Sequence, residues 1–350
     1  MTAGIDFGRR TLVVRHRVLT ARIGLRTAVV CAVLLTLALA VAVLALGTGD
    51  YAIPPDRVVR ALFVGDQRFD RLVVWEWRFP RVVLALALGA ALGVSGAILQ
   101  SVTRNPLGSP DIVGFNTGAY TGALIVILTL GGGGHFPTAA GALLGGLATA
   151  LAIQLLAFRH QVSGFRLIIV GIGVSAMLAS VNTWLVLRAD LHAAMSAAAW
   201  GAGSLNGLSW PQVAPALVVL AILGILVVPF APKLHILELG DDLAHAFGLR
   251  VGRSRTVLIV LSVALTAAAT AVAGPIAFIA LAAPQLGRRL ARSPSIALVP
   301  AAAMGALLLV SCDWIAQRAF APTTLPVGVV TVSIGGLYLA YLLVVEARRS

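Results

Sequence analysis

Few residues in this 350-residue chain are spaced so that they could make or break bonds. There is no GxxxxGK[ST] loop, and hence no phosphate cradle of that kind. HExxH and GxSxG are missing as well, and no two carboxylates share an apolar run, as acid–base work inside a membrane would need. Asp313 is the one acid near the interior of such a run, toward its outer end; a single ionisable group is a thin basis for a proton relay. His16, His135, His160, His192, His235 and His245 are scattered without metal-ligand spacing. Cys31 and Cys312 sit in separate apolar runs and read as small packing residues. The GIGVSA segment at 171–176 lacks the third glycine and the preceding strand of a dinucleotide site. What remains is the chemistry of charge and hydrogen bonding, which docks, guides and gates. Its carriers are arginines at the ends of apolar runs, the acid pair Asp241–Asp242, and the polar set Gly171, Gly173, Ser175, Ser180, Asn182 and Thr183 inside one run.

The elements that must position these residues are membrane helices. With 59% apolar and 11% charged residues, the composition is that of a polytopic membrane protein with one transmembrane domain. A helix needs about 20 apolar residues to cross the hydrocarbon. Ten spans are predicted, at 27–47, 80–102, 112–130, 137–157, 166–187, 211–230, 255–274, 277–290, 297–317 and 327–345, the eighth being short. The net charge of +13 could suggest nucleic acid, but the arginines punctuate apolar runs rather than forming a surface stripe, so no nucleic-acid partner is expected. With both ends inside, the inner segments hold 18 basic residues and the outer ones 8, as the positive-inside rule requires. The organisation expected is a basic cytoplasmic segment 1–26, a permease domain 27–345 and a cytoplasmic tail 346–350. The basic start resembles a signal peptide, but the run to Gly47 exceeds an h-region and lacks a small-x-small site, so it reads as a retained span.

One stretch organises the rest. From Arg78 to Gly118 an uncharged span follows Arg78-Phe79-Pro80-Arg81, stops at Arg104-Asn105-Pro106-Leu107-Gly108, and restarts after Asp111. Gly89, Gly93, Ser95 and Gly96 predict close helix–helix contact, as do Gly118 and Gly122 with Gly141, Gly145 and Gly146. The polar groups of the fifth span either bond neighbouring helices or face a water-filled path. The outer segment 48–79 predicts a short interfacial helix in DYAIPPDRVVRALF, with an aspartate at its N-cap and Trp75 and Trp77 suited to an aromatic belt. In the inner loop 233–255, Asp241 and Asp242 suit a helix start, Leu239, Leu243 and Phe247 recur every four residues, and Gly248 offers a stop. This amphipathic helix lies on lipid or docks into another protein; its acidic start disfavours an anionic membrane and favours the protein.

WRFPR, SGAILQ, NPLGSPDIVGFNTGA, LGDDLAHAFGL, GPIAFIALAAPQLGRRL and LPVGVVTVSIGG occur in that order over nearly the full length. In these blocks the chain resembles the FecCD/BtuC-type permeases of type II ABC importers for iron–siderophores and vitamin B12. In GFNTGA, FRLIIVGIGV, NTWL, AGSLNGL, LGDD and LTAAATAVAGPIAFIALAAP it is most similar to the ferric-enterobactin branch.

The resemblance implies an all-α fold of about ten transmembrane helices with an inverted repeat, spans two to five against seven to ten. It implies a multi-pass protein of the cytoplasmic (inner) membrane, not itself an enzyme, that takes ferric siderophore inward. The expected partners are a second homologous permease forming a heterodimer, two ATPase subunits that bind ATP and Mg, an extracytoplasmic siderophore-binding protein, and membrane lipid. No cofactor is expected in this chain. By motif, Arg78, Arg81 and Arg318 would meet glutamates of the binding protein, unless they only anchor span ends in headgroups. Asn105, Pro106 and Leu107 would form an inner gate. Ser163 and Gly164, with Phe165, would form a second gate segment, although the small polar residues of the B12 permease are only partly kept there. Gly171, Gly173 and Ser175 would line the path. Leu239, Gly240, Asp241, Asp242, Leu243, Ala244, Phe247, Gly248 and Leu249 would be the coupling helix set into the ATPase. The rival readings are import of another ferric siderophore or of vitamin B12, a secondary transporter and an intramembrane enzyme. The last two need acids or a nucleophile–base pair that the spans do not offer.

Overall fold

The computed structural model describes residues 11–15, 20–49, 51–64, 68–130, 134–157, 164–293 and 296–347. A two-stranded antiparallel hairpin, β1 (Thr11–Arg15) and β2 (Thr20–Gly24), precedes α1 (Leu25–Gly47). The elements described after it are all helices: α2 (Pro55–Phe63), α3 (Arg68–Arg71), α4 (Phe79–Thr103), α5 (Pro110–Val113), α6 (Phe115–Thr129), α7 (His135–Ala157) and α8 (Gly164–Arg188) come first. Then follow α9 (Leu191–Gly201), α10 (Trp210–Val227), α11 (Ala231–Glu238), α12 (Asp241–Ala246), α13 (Val251–Ala273), α14 (Ile279–Ala291), α15 (Leu298–Arg318) and α16 (Val327–Ala347).

Ten of these helices run along the ten expected spans. Among the described residues, seven helices are long and apolar enough to cross a membrane; α6 and α14 supply shorter segments, and of α16 the apolar part Val327–Tyr338 counts as a shorter one. At 13 residues, α14 covers about 20 Å, well short of a hydrocarbon core of about 30 Å. It is a half-length helix reached through a non-helical link in which Gly274 and Phe278 both take positive φ (74° and 68°). The second span departs from expectation in the other direction. A continuous helical run of 35 residues extends from Phe69 to Thr103, its outer part a π-helical segment over Leu72–Arg78. In the outer segment α2 forms as predicted, but its N-cap is Pro54, and Asp56 sits within the first turn. Asp70, buried beneath α2, accepts two hydrogen bonds from Arg57, each 2.8 Å.

Glycine sets how closely the central helices approach. A Cβ on Gly89, Gly93 or Gly96 would overlap the backbone at Gly305, Ala301 or Ala280, so α4 lies backbone to backbone against α15 and the start of α14. Gly118 and Gly122 of α6 meet Gly141 and Gly145 of α7 in the same way.

Helices α4 and α13 cross at the middle. Ser95 Oγ donates to Ser262 O (2.7 Å) while Ser262 Oγ donates to Ser95 O (2.9 Å), a reciprocal pair 167 residues apart. The Asp111 carboxylate and the Phe278 N–H that it accepts from (3.0 Å) are also 167 residues apart. Two contacts joining each residue to the one 167 positions on mark a pseudo-two-fold axis between repeats. The packing order agrees: α6, α7 and α8 contact one another as α14, α15 and α16 do, and α4 meets α14 and α15 as α13 meets α6 and α7. This is the inverted repeat expected for spans two to five and seven to ten. Around that core, α7, α8 and α10 turn large apolar residues outward, among them Leu144, Leu155, Met177, Ile222 and Ile225.

Candidate functional site

The functional residues fall into three places: the outer rim, the α8 wall and the cytoplasmic mouth. At the outer rim, Arg81 is held inside the fold. Its Nε and Nη2 both reach Asp313 at the outer end of α15 (2.9 and 2.7 Å), and the two side chains are 13% and 1% exposed. Gln317 adds a further hydrogen bond to the carboxylate (2.9 Å). A docking carboxylate would have to displace Asp313 and strand its charge in a buried site, which is costly. The rim expectation for Arg81 therefore meets an internal ion pair, and the one acid open to a proton-relay reading is already neutralised by it. Arg78 donates to Leu46 O (2.8 Å) and Tyr51 O (2.6 Å), tying α1 and the outer segment to α4. Arg318, in the last turn of α15, is exposed.

On α8, Ser175, Ser180 and Thr183 donate to carbonyls four residues earlier in their own helix (2.7, 3.0 and 2.9 Å), so these hydroxyls do not bridge helices. Gly171 packs on Val113 of α5, whereas Gly173 faces open space. Asn182 is 4% exposed, and neither its Nδ2 nor its Oδ1 has a partner among the described residues. Of the second gate segment, Ser163 lies outside the described residues, and Gly164 begins α8.

At the cytoplasmic mouth the gate loop is a built turn. Arg104 takes the left-handed conformation (φ 49°), Asn105 Oδ1 accepts from Leu107 N (2.9 Å), and Gly108 N donates to Asn105 O (2.9 Å). Pro106 and Leu107 stand exposed at its tip, and Gln285 of α14 donates to Pro106 O (2.7 Å). Behind the loop lies a cavity of about 320 Å³ whose walls include Ser101, Arg104, Glu238 and Arg288.

The coupling segment folds as a six-residue helix. Gly240 starts it with φ 116° and ψ 158°, a conformation essentially restricted to glycine, and Gly248 ends it with φ 77°, where Leu249 N donates to Ala244 O (3.0 Å). The two adjacent acids then part company. Asp242 is exposed beside Leu239, Leu243 and Phe247, which are 58%, 51% and 68% exposed. Asp241 turns inward to Arg104 of the gate loop and to Arg255 of α13 (2.8 Å). Partial burial opposes its ionisation, but the guanidiniums of Arg255 and Arg104 outweigh that and hold its carboxyl below the ordinary value. Arg104 Nε also donates to Leu237 O (3.0 Å), and Glu238 accepts from Ser101 Oγ (2.7 Å) and Ile296 N (3.3 Å). The 104–108 turn and the 237–249 segment, the expected gate and coupling elements, are therefore one hydrogen-bonded unit.

Sequence reasoning missed Arg104, Arg255, Glu238 and Asp111 as members of these sites. An acid amid apolar and proline neighbours was the available signal for Asp111, whose carboxylate accepts from Asn116 Nδ2 (2.7 Å) as well as from Phe278.

Comparison with known proteins adds four findings. Residues 35–345 match the FecCD transport family. The chain is 47% identical over 324 residues to the ferric enterobactin transport system permease protein FepG of Escherichia coli, covering 93% of this chain and 98% of that one. It is 37% identical over 337 residues to the achromobactin transport system permease protein CbrC of Dickeya dadantii, covering 95% and 96%. Among solved structures, a metal-chelate type ABC transporter in an inward-facing conformation superposes with a TM-score of 0.80 at 25% identity, over 90% of this chain and 99% of that one.

Proposed function

The chain belongs to the FecCD transport family, and from that premise we propose that it is the permease subunit of an ATP-driven importer carrying ferric siderophore of the catecholate type into the cell. The observation that carries the reading is the near-full-length likeness to a ferric enterobactin permease. The protein sits in the cytoplasmic membrane with both termini inside, as the excess of basic residues in its inner segments supports.

The residues divide the work. Outside, an extracytoplasmic siderophore-binding protein docks through carboxylates; the exposed Arg318 offers the charged contact, while Arg78 and Arg81 build the rim around it. The path runs between this chain and a second, homologous permease, along a wall that includes Gly173; Gly171 and Ser175, expected beside it, lie on the opposite face of α8 against Val113 and Gly114. Inside, Leu239 to Leu249 seat in a groove of the ATPase, with Asp242, Leu243 and Phe247 presented outward. Two such ATPases bind and hydrolyse ATP with Mg; this chain holds no nucleotide. Because Asp241 and Glu238 grip α4, α13 and the gate loop, a shift of the coupling helix moves Asn105, Pro106 and Leu107 directly. Gly164 stands at the matching second gate segment.

Uptake of iron-55 as ferric enterobactin, with ferric hydroxamate and vitamin B12 beside it, tests the reading in cells lacking this gene. Loss of the catecholate signal alone, restored by the gene, is expected. Loss of a different signal would reassign the cargo and keep the importer. Unchanged uptake of all three in cells with no second importer would contradict the function.

A further inference from the structure

Between the first turns of α6 and the outer half of α8 lies a cavity of about 490 Å³, within the range used for small organic ligands. Its walls include Asn182 and Thr183 of α8, Thr117 and Tyr120 of α6, Gly201 at the end of α9, and Pro275. None of its lining residues is charged. Two features make it more than a packing defect. Asn182 lines it while 4% exposed, with both its amide donor and its amide acceptor unsatisfied among the described residues. Leaving both buried and unpaired is costly, so the site is poised for a ligand that supplies one acceptor and one donor. Tyr120 forms one wall of the cavity and lies parallel to Trp200, ring centroids 6.1 Å apart and planes 12° apart, which presents an aromatic wall beside the amide. Gly201 keeps that wall open, since a Cβ there would come within 2.8 Å of the Tyr120 ring.

We propose that this cavity is a subsite that receives one aryl-amide arm of the ferric siderophore as it enters the path, with Asn182 pairing to the arm's amide and Tyr120 facing its ring. The inference rests on the functional reading above and adds a specificity-determining residue to it. A secondary amide offers a C=O acceptor and an N–H donor, and so matches both orphaned atoms of Asn182 at once. A neutral lining also suits an anionic chelate that must be released again, because a cationic pocket would retain it.

The test uses the whole importer, reconstituted with its partner permease, ATPases and binding protein. Two ferric tris-catecholamides are compared, one with free amide N–H groups and one N-methylated. Wild type should transport the N–H chelate about five-fold or more faster at limiting concentration. Asn182→Leu should lower transport of that chelate to the level of the methylated one while leaving the latter unchanged. Asn182→Gln, which keeps donor and acceptor, should restore part of the preference. Thr183→Val, at the exposed rim, should act in the same sense but more weakly, and it serves as the probe if Asn182→Leu fails to assemble. Equal loss for both chelates, or no loss in either variant, would overturn the subsite and leave the importer reading intact. A wild-type complex that moved neither chelate would overturn both.

Discussion

At the scale of single residues, the charges that look most available are the ones the fold has already engaged. Arg81 reads as a basic residue at a span end, but it closes a bidentate pair on Asp313, 232 residues away in sequence. Nothing local to either residue announces the other. The pair becomes visible only once Gly89 and Gly93 bring α4 against α15. Asp241 and Asp242 are equally opaque: their order at a helix start was legible, but which of the two turns inward depends on Arg104 and Arg255 arriving from other elements. The buried pair gives a prediction. Removing one partner of a buried ion pair costs about 3–5 kcal/mol, whereas replacing both by apolar residues of similar volume is close to neutral. Arg81→Met and Asp313→Leu should each lower the thermal midpoint of the detergent-purified protein markedly, and the double variant should recover most of the loss. Additive losses in the double variant would mean that the two residues are not coupled.

At the scale of elements, what the sequence disclosed is what hydropathy and small-residue spacing encode: ten helices near their expected places, and close contact at the glycine-rich faces. The short eighth span was legible at 277–290 and is found as α14, whereas the positive-φ link that leads into it and the π-helical extension of α4 were not, because apolar length alone does not show where a backbone breaks or overwinds. The short helix α12 was readable from its acid pair, four-residue apolar spacing and terminal glycine. Its link to the gate was not, since Ser101–Glu238 and Arg104–Leu237 span more than 130 residues each (137 and 133). Gly240 is the element's sharpest constraint. Proline is fixed near φ −65°, so Gly240→Pro cannot keep the φ of 116° from which α12 departs. That variant, or Asp242→Arg on the exposed face, should insert into the membrane normally but lose most ATP-dependent uptake. ATP hydrolysis that no longer responds to the loaded binding protein would be the accompanying sign. Normal uptake and normal ATPase association in both variants would defeat the assignment of this helix.

At the scale of the whole molecule, two inverted repeats cross at Ser95 and Ser262, and the second axial contact ties the α5–α6 break to the α13–α14 break through Asp111 and Phe278. A bundle built about such an axis can rock one repeat against the other while its centre stays hydrogen-bonded. In the proposed mechanism the drive is applied at the cytoplasmic end, where the expected coupling helix and gate loop share Arg104, Asp241 and Glu238. With Asp313 held by Arg81, ATP rather than an ion gradient is the expected drive. The most direct measurement is accumulation of iron-55 ferric enterobactin in proteoliposomes holding the complete importer, with the binding protein on the side of uptake. Accumulation should require ATP on the opposite side, should vanish when this chain is left out, and should be unchanged when proton and sodium gradients are collapsed. Uptake sustained by either gradient without ATP would contradict the account.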